Sequence, residues 1–319
     1  MTDAPQNSRD SHERADTWAP LVNPAGAGEL DRCSLERAQP QVLERLLAQR
    51  STRVLPIFRG RVPVIGDPLR LGFRAPEPDD MGRPVYFLGR SGGVAVVAVD
   101  VEFGSEQWLT ARAVGPWLPR AELDILLTTM AVTNWHRNHP MCSRCGRPTR
   151  VISGGWARHC DFDGSEHYPR TDPAVIMSVI DAGDRLLLAR NAAWEENRRS
   201  VLAGFVEPGE RLEEAVAREV LEEVGVRVSD VVYVDNQPWP FPSSLMLGFT
   251  ARVGAGEEGL IVDRTEIVQA DWYTRDELTQ HVAEGRILLP TRMSIARRLI
   301  ERWFGGALAT GEEAPVVGR

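Results

Sequence analysis

The sequence predicts an α+β protein built in successive parts, and three observations carry that prediction. Short β-branched and apolar runs alternate with helix-length stretches, separated by Gly, Pro and Asp. A cysteine-bearing segment interrupts this pattern between Met141 and Arg170. A glutamate-rich helix framed by glycines follows it, within Gly204–Val226. At 319 residues the chain is long enough for two domains and a sizeable core.

Composition narrows the class. Apolar content is 43% and charged content 26%, both ordinary for a soluble globular protein. A net charge of -8 gives no footprint for non-specific nucleic-acid binding and argues against DNA as a partner, while leaving recognition of an RNA end open. No apolar run approaches the roughly 20 residues that span a bilayer. The polar start, MTDAPQNSRDSHERAD, lacks the apolar core of a signal peptide. Four cysteines, three of them clustered, suit a metal site in a reducing cytoplasm better than a disulfide framework. The expectation is a cytoplasmic protein with no membrane partner.

Taken in order, residues 1–17 read as a disordered polar tail. A helix is expected at Gln41–Gln49, then strands at Thr52–Phe58, Val62–Ile65, Val85–Leu88 and Val94–Val101. Arg120–Asn138 reads as a helix with Leu123, Leu126, Leu127, Met130 and Val132 apolar. This first α+β part, 18–139, carries no chemical motif and reads as scaffold or dimerisation surface. Further on, Ala174–Ile180 and Arg185–Arg190 read as a hairpin around Asp181–Asp184, and Ser200–Ala203 as the strand entering the glutamate-rich stretch. Strands are expected at Val226–Val234, Leu245–Val253 and Ile267–Tyr273, and helices at Arg275–Val282 and Arg292–Phe304. The last residues, 305–319, read as a flexible tail.

In the segment 140–170, Cys142-x2-Cys145-Gly is a turn that presents two thiolates to one metal, and Cys160 follows at a zinc-ribbon spacing. The expected fourth position holds Asp163 rather than cysteine, and His159 and His167 are the other candidate ligands. A redox pair and a knuckle that no longer binds metal are the competing readings.

Gly204–Val226 reads G-F-V-E-P-G-E-R-L-E-E-A-V-A-R-E-V-L-E-E-V-G-V. The first residues form a tight loop, and helix formers run from Glu210 until Gly225 stops them. On a helix, Glu219, Glu222 and Glu223 cover an arc of about 100° beside an apolar stripe of Leu212, Val216, Val220 and Val224. Three such carboxylates repel one another and are hard to keep ionised at the edge of a buried stripe. Mg²⁺ or Mn²⁺ removes that conflict, because hard cations prefer carboxylate oxygens and keep waters that can act on a phosphate. A merely solvated acidic face is the bland alternative; the loop glycines and Arg218 argue against it.

Beyond it, Asn236–Ser244 reads N-Q-P-W-P-F-P-S-S. Alternating prolines hold the segment extended and present Trp239 and Phe241 at low entropic cost. Such a ledge can stack a nucleobase, and Gln237, Ser243 and Ser244 can bond phosphates or base edges. A packed loop or a proline-rich ligand for another domain is the competing reading.

The stretch Gly204–Val226 resembles the Nudix box, G-x5-E-x7-R-E-U-x-E-E-x-G-U with U apolar, and matches it at every position. Together with C-S-R-C-G, H-Y-P-R-T-D-P-A-V-I and Q-P-W-P-F-P-S-S, it resembles the NADH pyrophosphatases, also described as NAD-capped RNA decapping hydrolases. The resemblance covers roughly Val54 to Phe304, and its one departure is Asp163 in place of a fourth cysteine. It implies a Nudix-like α+β domain at 18–139, a zinc-ribbon-like segment at 140–170, and a Nudix α/β/α sandwich with a mixed sheet at 171–304.

For the site, it implies Mg²⁺ or Mn²⁺ on the carbonyl of Ala203 and on Glu219, Glu222, Glu223 and Glu266, with Arg218 orienting the glutamates. Structural Zn²⁺ falls to Cys142, Cys145, Cys160 and Asp163. Substrate positions fall at Tyr168, at Gln237, Pro238, Trp239, Pro240, Phe241, Pro242, Ser243 and Ser244, and at Ala296. The implied reaction is hydrolysis of the NAD(H) pyrophosphate by a homodimer, with NAD-capped RNA ends as a further substrate. An ADP-ribose hydrolase and a non-catalytic NAD or ADP-ribose sensor are the alternatives; the intact Arg218, Glu219, Glu222 and Glu223 count against the sensor.

Overall fold

The computed structural model describes residues 30–105, 107–308 and 315. The expected tail over 1–17 lies outside the described residues, as do 309–314 and 316–319 of the expected C-terminal tail.

The first part is a four-stranded mixed sheet of β1 (Leu30–Asp31), β2 (Arg53–Ile57), β3 (Val85–Ser91) and β4 (Val94–Asp100), ordered β1-β3-β4-β2 with β2 parallel to β4. The period of two in these strands sorts their side chains onto two faces. Leu55, Ile57, Leu88, Val96 and Ala98 pack with Ile125, Leu126, Met130 and Val132 of a long helix, while Val54, Phe87, Val97 and Val99 pack with Val42 and Leu46 of a short one. Those helices are α1 (Val42–Leu47) and α2 (Arg120–Asn138), the second with the bounds its sequence predicts.

Three short antiparallel strands follow, β5 (Arg150–Ile152), β6 (Ala157–His159) and β7 (Glu166–His167). Two backbone knuckles punctuate them, one before β5 and one between β6 and β7. In one, the amide of Gly146 donates to the carbonyl of Cys142 at 2.9 Å; in the other, that of Gly164 donates to the carbonyl of Cys160 at 2.9 Å. Both glycines are left-handed, with φ of 73° and 72°, which favours a residue without Cβ.

The last part is an α/β/α sandwich. Its sheet runs β11-β12-β8-β9-β13, with β10 paired antiparallel to β8 and β12 parallel to β8. The strands are β8 (Asp172–Ile180), β9 (Leu186–Asn191), β10 (Leu202–Phe205), β11 (Val228–Trp239), β12 (Ser244–Val253) and β13 (Ile267–Tyr273), and the helices α3 (Leu212–Val224), α4 (Arg275–Ala283) and α5 (Ile295–Phe304). Val175, Met177 and Val179 face Ala215, Val216, Val220 and Val224 of α3. Ile176 and Ile180, one residue along, face Ile295, Leu299, Ile300 and Trp303 of α5.

Several boundaries differ from the sequence expectation: the expected strand Val62–Ile65 is split between Arg61–Val62 and Val64–Ile65, which pair in different hairpins, and four differences bear on the site. The strand before the box starts at Leu202, because Ser200 is bonded instead to Ala189, at 2.8 and 3.0 Å. α3 starts at Leu212, leaving Glu210 in the loop, and α5 starts at Ile295, where the Ser294 hydroxyl caps the amide of Ala296 at 3.2 Å. β11 runs on through the proline-rich segment to Trp239, since Pro238 on an edge strand sacrifices no ladder bond.

Gln237 then ties the sheet to α5. Its Nε2 donates to the carbonyl of Met293 at 2.5 Å, and its Oε1 accepts from the amide of Ile295 at 2.7 Å. Gln237→Ala leaves two buried backbone groups without partners, at about 1–3 kcal/mol each. Urea unfolding is therefore expected to show a loss of about 2–6 kcal/mol; a smaller effect on stability than on substrate affinity would return Gln237 to the role of a ligand.

Candidate active site

The pairing of strands brings the two motifs to one end of the sheet. Gln237 is opposite Met246, Met246 opposite Ala174, and Ala174 opposite Phe205, a row across four strands. At about 4.8 Å per strand, Gln237 and Phe205 are roughly 14 Å apart. The next rows place Gly204 level with Asn236, and Ala203 level with Asp235.

Arg218 organises the box. Its Nε and Nη2 donate to Glu210 at 2.7 and 3.0 Å, Nη2 also to the carbonyl of Phe205 at 2.9 Å, and Nη1 to Glu219 and Glu222 at 2.8 and 3.0 Å. One planar guanidinium thus locks loop, strand and helix together. The Arg218 hydrogen bonds hold the carboxyl of Glu210 below its ordinary value. Gly204 has a steric reason: a Cβ there would lie 1.8 Å from the carboxyl carbon of Glu219.

The three helix glutamates do not share one environment. Glu222 is exposed and only clasps Arg218. Glu219 is raised above its ordinary value, because burial outweighs the attraction of Arg218. Glu223 is 6% exposed, and its Oε2 is buried with no hydrogen-bond partner. Burial first, then the charges of Glu219, Glu266, Asp263 and Glu222, push its carboxyl up to about 8. Asp263, absent from the sequence reading, shapes the loop that presents Glu266: its carboxylate accepts from the amides of Glu266 and Ile267 at 3.1 and 3.0 Å, and its own amide donates to the carbonyl of Glu223 at 3.2 Å. An Asp three residues before the expected ligand was the available signal, since such side chains bond the backbone that follows. An orphaned buried oxygen among converging carboxylates fits a hard divalent cation.

Phe205 is the other residue that sequence reasoning passed over. It is 59% exposed, directly after Gly204, an aromatic ring left in solvent beside the carboxylates. Ala203 pairs with Ile176 and lies against the core beneath α5, where Ala296 is buried.

In the ribbon, one ligand atom each from Cys142, Cys145, Cys160 and Asp163 lies within 4.8 Å of the others. The Cys145 and Cys160 sulfurs are 3.5 Å apart, and Cys142 Sγ is 3.3 Å from Asp163 Oδ2. Three thiolates and a carboxylate at these separations fit tetrahedral zinc. The alternative ligands stand elsewhere: His159 faces Asp161 at 3.6 Å, and His167 lies 3.2 Å from the Ser165 hydroxyl.

The proline-aromatic segment is built into a junction with the first domain. Trp239 and Phe241 meet edge to face at 5.0 Å between ring centroids. The Arg112 guanidinium lies 5.6 and 4.8 Å from those rings, Asn134 donates to the carbonyl of Pro240 at 2.9 Å, and Phe241 packs against the first domain's core. Two side chains expected to meet substrate are engaged within the protein. Gln237 holds α5, and the Ser243 hydroxyl donates to Asp172 at 2.6 Å. Trp239, Pro238, Pro240, Ser243 and Ser244 border a cleft of about 290 Å³, whose far wall is α2. Pro242 is exposed. Tyr168 is exposed as well, its hydroxyl 2.6 Å from Glu166.

A glutamate cluster on a strand-loop-helix element of an α/β/α sandwich defines a metal-dependent hydrolase of the Nudix class. Residues 170–292 match the NUDIX domain, and 137–168 match the NADH pyrophosphatase zinc ribbon domain. Among similar proteins, the NAD-capped RNA hydrolase NudC of Mycobacterium bovis is 40% identical over 262 residues, covering 77% of this chain and 83% of that one. The NudC of Klebsiella pneumoniae is 43% identical over 170 residues, covering 53% of this chain and 62% of that one. The chain belongs to the Nudix hydrolase family, in the branch that carries the NADH pyrophosphatase zinc ribbon.

Two outcomes are expected here. Purified protein should contain about one zinc per chain. Cys142→Ser should lower both zinc content and thermal stability, whereas zinc-free protein of full stability would remove the metal from the account. The second concerns pH. The folded, metal-free chain keeps a proton on Glu223 between its ordinary value of 4.5 and about 8, where the unfolded chain has lost it. Stability from this group is therefore present below that interval and lost as pH rises through it, at up to about 1.4 kcal/mol per pH unit. Glu223→Gln should flatten that slope in metal-free protein, as read by denaturant melts from pH 5 to 9.

Proposed function

We propose that this protein hydrolyses the pyrophosphate bond of NAD(H), giving AMP and nicotinamide mononucleotide, and that it removes NAD caps from RNA 5′ ends. The observation that carries the reading is the row across the sheet, which sets Gln237 of the proline-aromatic motif level with Phe205 of the box, roughly 14 Å away, so that both motifs meet one end of the sheet. The names and motifs of the relatives point the same way.

Glu219, Glu223 and Glu266, with the carbonyl of Ala203, would hold Mg²⁺ or Mn²⁺. Such ions, when bound, neutralise the pyrophosphate and lower the pKa of an attacking water. Arg218 keeps Glu219 in place while its other donors hold the loop and Glu222, so that the cluster is positioned before substrate arrives. Burial keeps the basicity of Glu223 high, so in the absence of cation it holds a proton at neutral pH and gives it up when positive charge arrives. Water adds to phosphorus, the P–O–P bridge breaks, and each product leaves with a phosphate. Glu222, which only clasps Arg218, contributes through that arginine. A homodimer and a cytoplasmic location belong to the same reading, supported by the resemblance and by the reduced, metal-type cysteines; no helix among the described residues is long and apolar enough to cross a membrane.

Glu219→Gln and Glu223→Gln should each lower the rate about a thousand-fold or more at saturating Mg²⁺ while the fold persists. Trp239→Ala should weaken NADH turnover by about ten- to a hundred-fold through lost stacking. Products from NADH, NAD, ADP-ribose and NAD-capped RNA, assayed side by side, decide the substrate; a preference for ADP-ribose over every NAD-containing substrate would overturn the reading.

A further inference from the structure

The zinc ribbon carries side chains that neither its metal position nor its packing explains. Between Arg137 and Arg170 stand six arginines and three carboxylates, in a chain of net charge -8. Four of those arginines are accounted for. Arg137, Arg150 and Arg170 pair with Asp100, Asp161 and Asp172 at 3.2, 2.8 and 3.0 Å. Arg158 is buried, donating to the hydroxyl and the carbonyl of Thr149 at 2.6 and 2.7 Å. Arg144 and Arg147 are exposed and have no carboxylate partner among the described residues. Of the carboxylates, Asp163 faces the metal position, Asp161 is taken by Arg150, and Glu166 accepts from the Tyr168 hydroxyl at 2.6 Å.

Phe162 is the second anomaly. It stands between the ligands Cys160 and Asp163, 61% exposed and outside the apolar clusters of the described residues. The Arg147 guanidinium lies over it, 3.6 Å from the ring centroid. Closure of the ribbon sets these groups together, because the four ligand atoms lie within 4.8 Å of one another. Arg144 adjoins Cys145, Arg147 follows it by two residues, and Phe162 adjoins Asp163, so all three share the knuckle end.

That end is continuous with the candidate active site. Pro169, Arg170 and Thr171 line the cleft beside Trp239. His167, three residues before Arg170, is at most roughly 10 Å of extended chain away. Its Nδ1 is 3.4 Å from the hydroxyl oxygen of Ser143, the residue directly before Arg144. Arginines without carboxylates select phosphates, and an exposed ring paired with a guanidinium plane selects an unstacked base. An acidic peptide would use the arginines and leave the ring idle. A duplex would offer phosphates but no free base.

We propose that the knuckle end of the zinc ribbon docks single-stranded RNA, with phosphates on Arg144 and Arg147 and a base against Phe162. The segment held is the one that follows the cap. The proposal rests on the NAD-cap reading for the identity of that RNA end, but not for the binding itself.

The test uses the full-length, zinc-loaded protein. Binding of an uncapped single-stranded RNA of about twelve nucleotides is read by fluorescence anisotropy, without Mg²⁺ or Mn²⁺. The double variant Arg144→Gln/Arg147→Gln should bind about ten-fold or more weakly, with a salt dependence shallower by about 1.4 in log–log slope. Phe162→Ala should also bind about ten-fold more weakly, and Phe162→Tyr should recover most of the affinity. Zinc content and thermal melts should match wild type in every variant, since none of the three residues is a ligand. With Mg²⁺ present, KM should rise for the longer NAD-capped RNA and stay unchanged for NADH and for a NAD-capped dinucleotide. RNA affinity unchanged in both the double variant and Phe162→Ala overturns the proposal. So does loss of zinc in the double variant while Phe162→Ala keeps its RNA affinity, which would make the arginines counter-charges to the thiolates. Duplex RNA or an acidic peptide bound as tightly as the single strand overturns it too. Should wild type cleave no capped RNA while the variants still lose RNA binding, the decapping reading fails and the docking surface stands.

Discussion

The rest of the site depends on a carboxylate kept where a carboxylate is costly. Glu223 lies at the edge of the apolar stripe of α3, with one oxygen buried and unpartnered, among other acids. Unpaired charge of that kind forces either protonation or a cation. The surrounding chemistry serves to hold the conflict in place. Arg218 draws Glu219 to a fixed position over Gly204, where any side chain would collide with it, and Asp263 shapes the loop that carries Glu266. Stability is given up at this point, and it is regained in the two apolar layers on either face of the sheet.

The proline-aromatic segment shows how one stretch can serve fold and site together. Its polar side chains turn inward: Gln237 to the start of α5 and Ser243 to Asp172. Its aromatic side chains turn to the junction with the first domain, under Arg112. The aromatic ledge and the packing between the domains are therefore built from the same few residues. The first domain is more than scaffold, since Asn134 and Arg112 set the ledge from outside the Nudix sandwich.

The ribbon makes the corresponding point about metal chemistry. Each knuckle is closed by an amide-to-carbonyl bond and a left-handed glycine, and Asp163 occupies the second knuckle's outer position. The backbone has kept the geometry of a four-ligand site while one donor is a harder oxygen.

What the sequence determined by itself was local. Hydrophobic period placed α2 and β13 at their observed ends, spacing placed the box glutamates on one helical turn, and paired cysteines marked the ribbon. These signals depend on residues near one another in the chain, so they survive without a structure. Tertiary structure decided what each residue faces. It separated Glu222 from Glu219 and Glu223, engaged Gln237 as a brace for α5, and extended β11 past the point where prolines suggest its end. It also assembled Arg112, Trp194, Arg198 and Trp239, which lie on three distant segments, into one pocket. The reason is physical: burial, field and pairing arise from groups brought together across the sheet, and no window of sequence contains them.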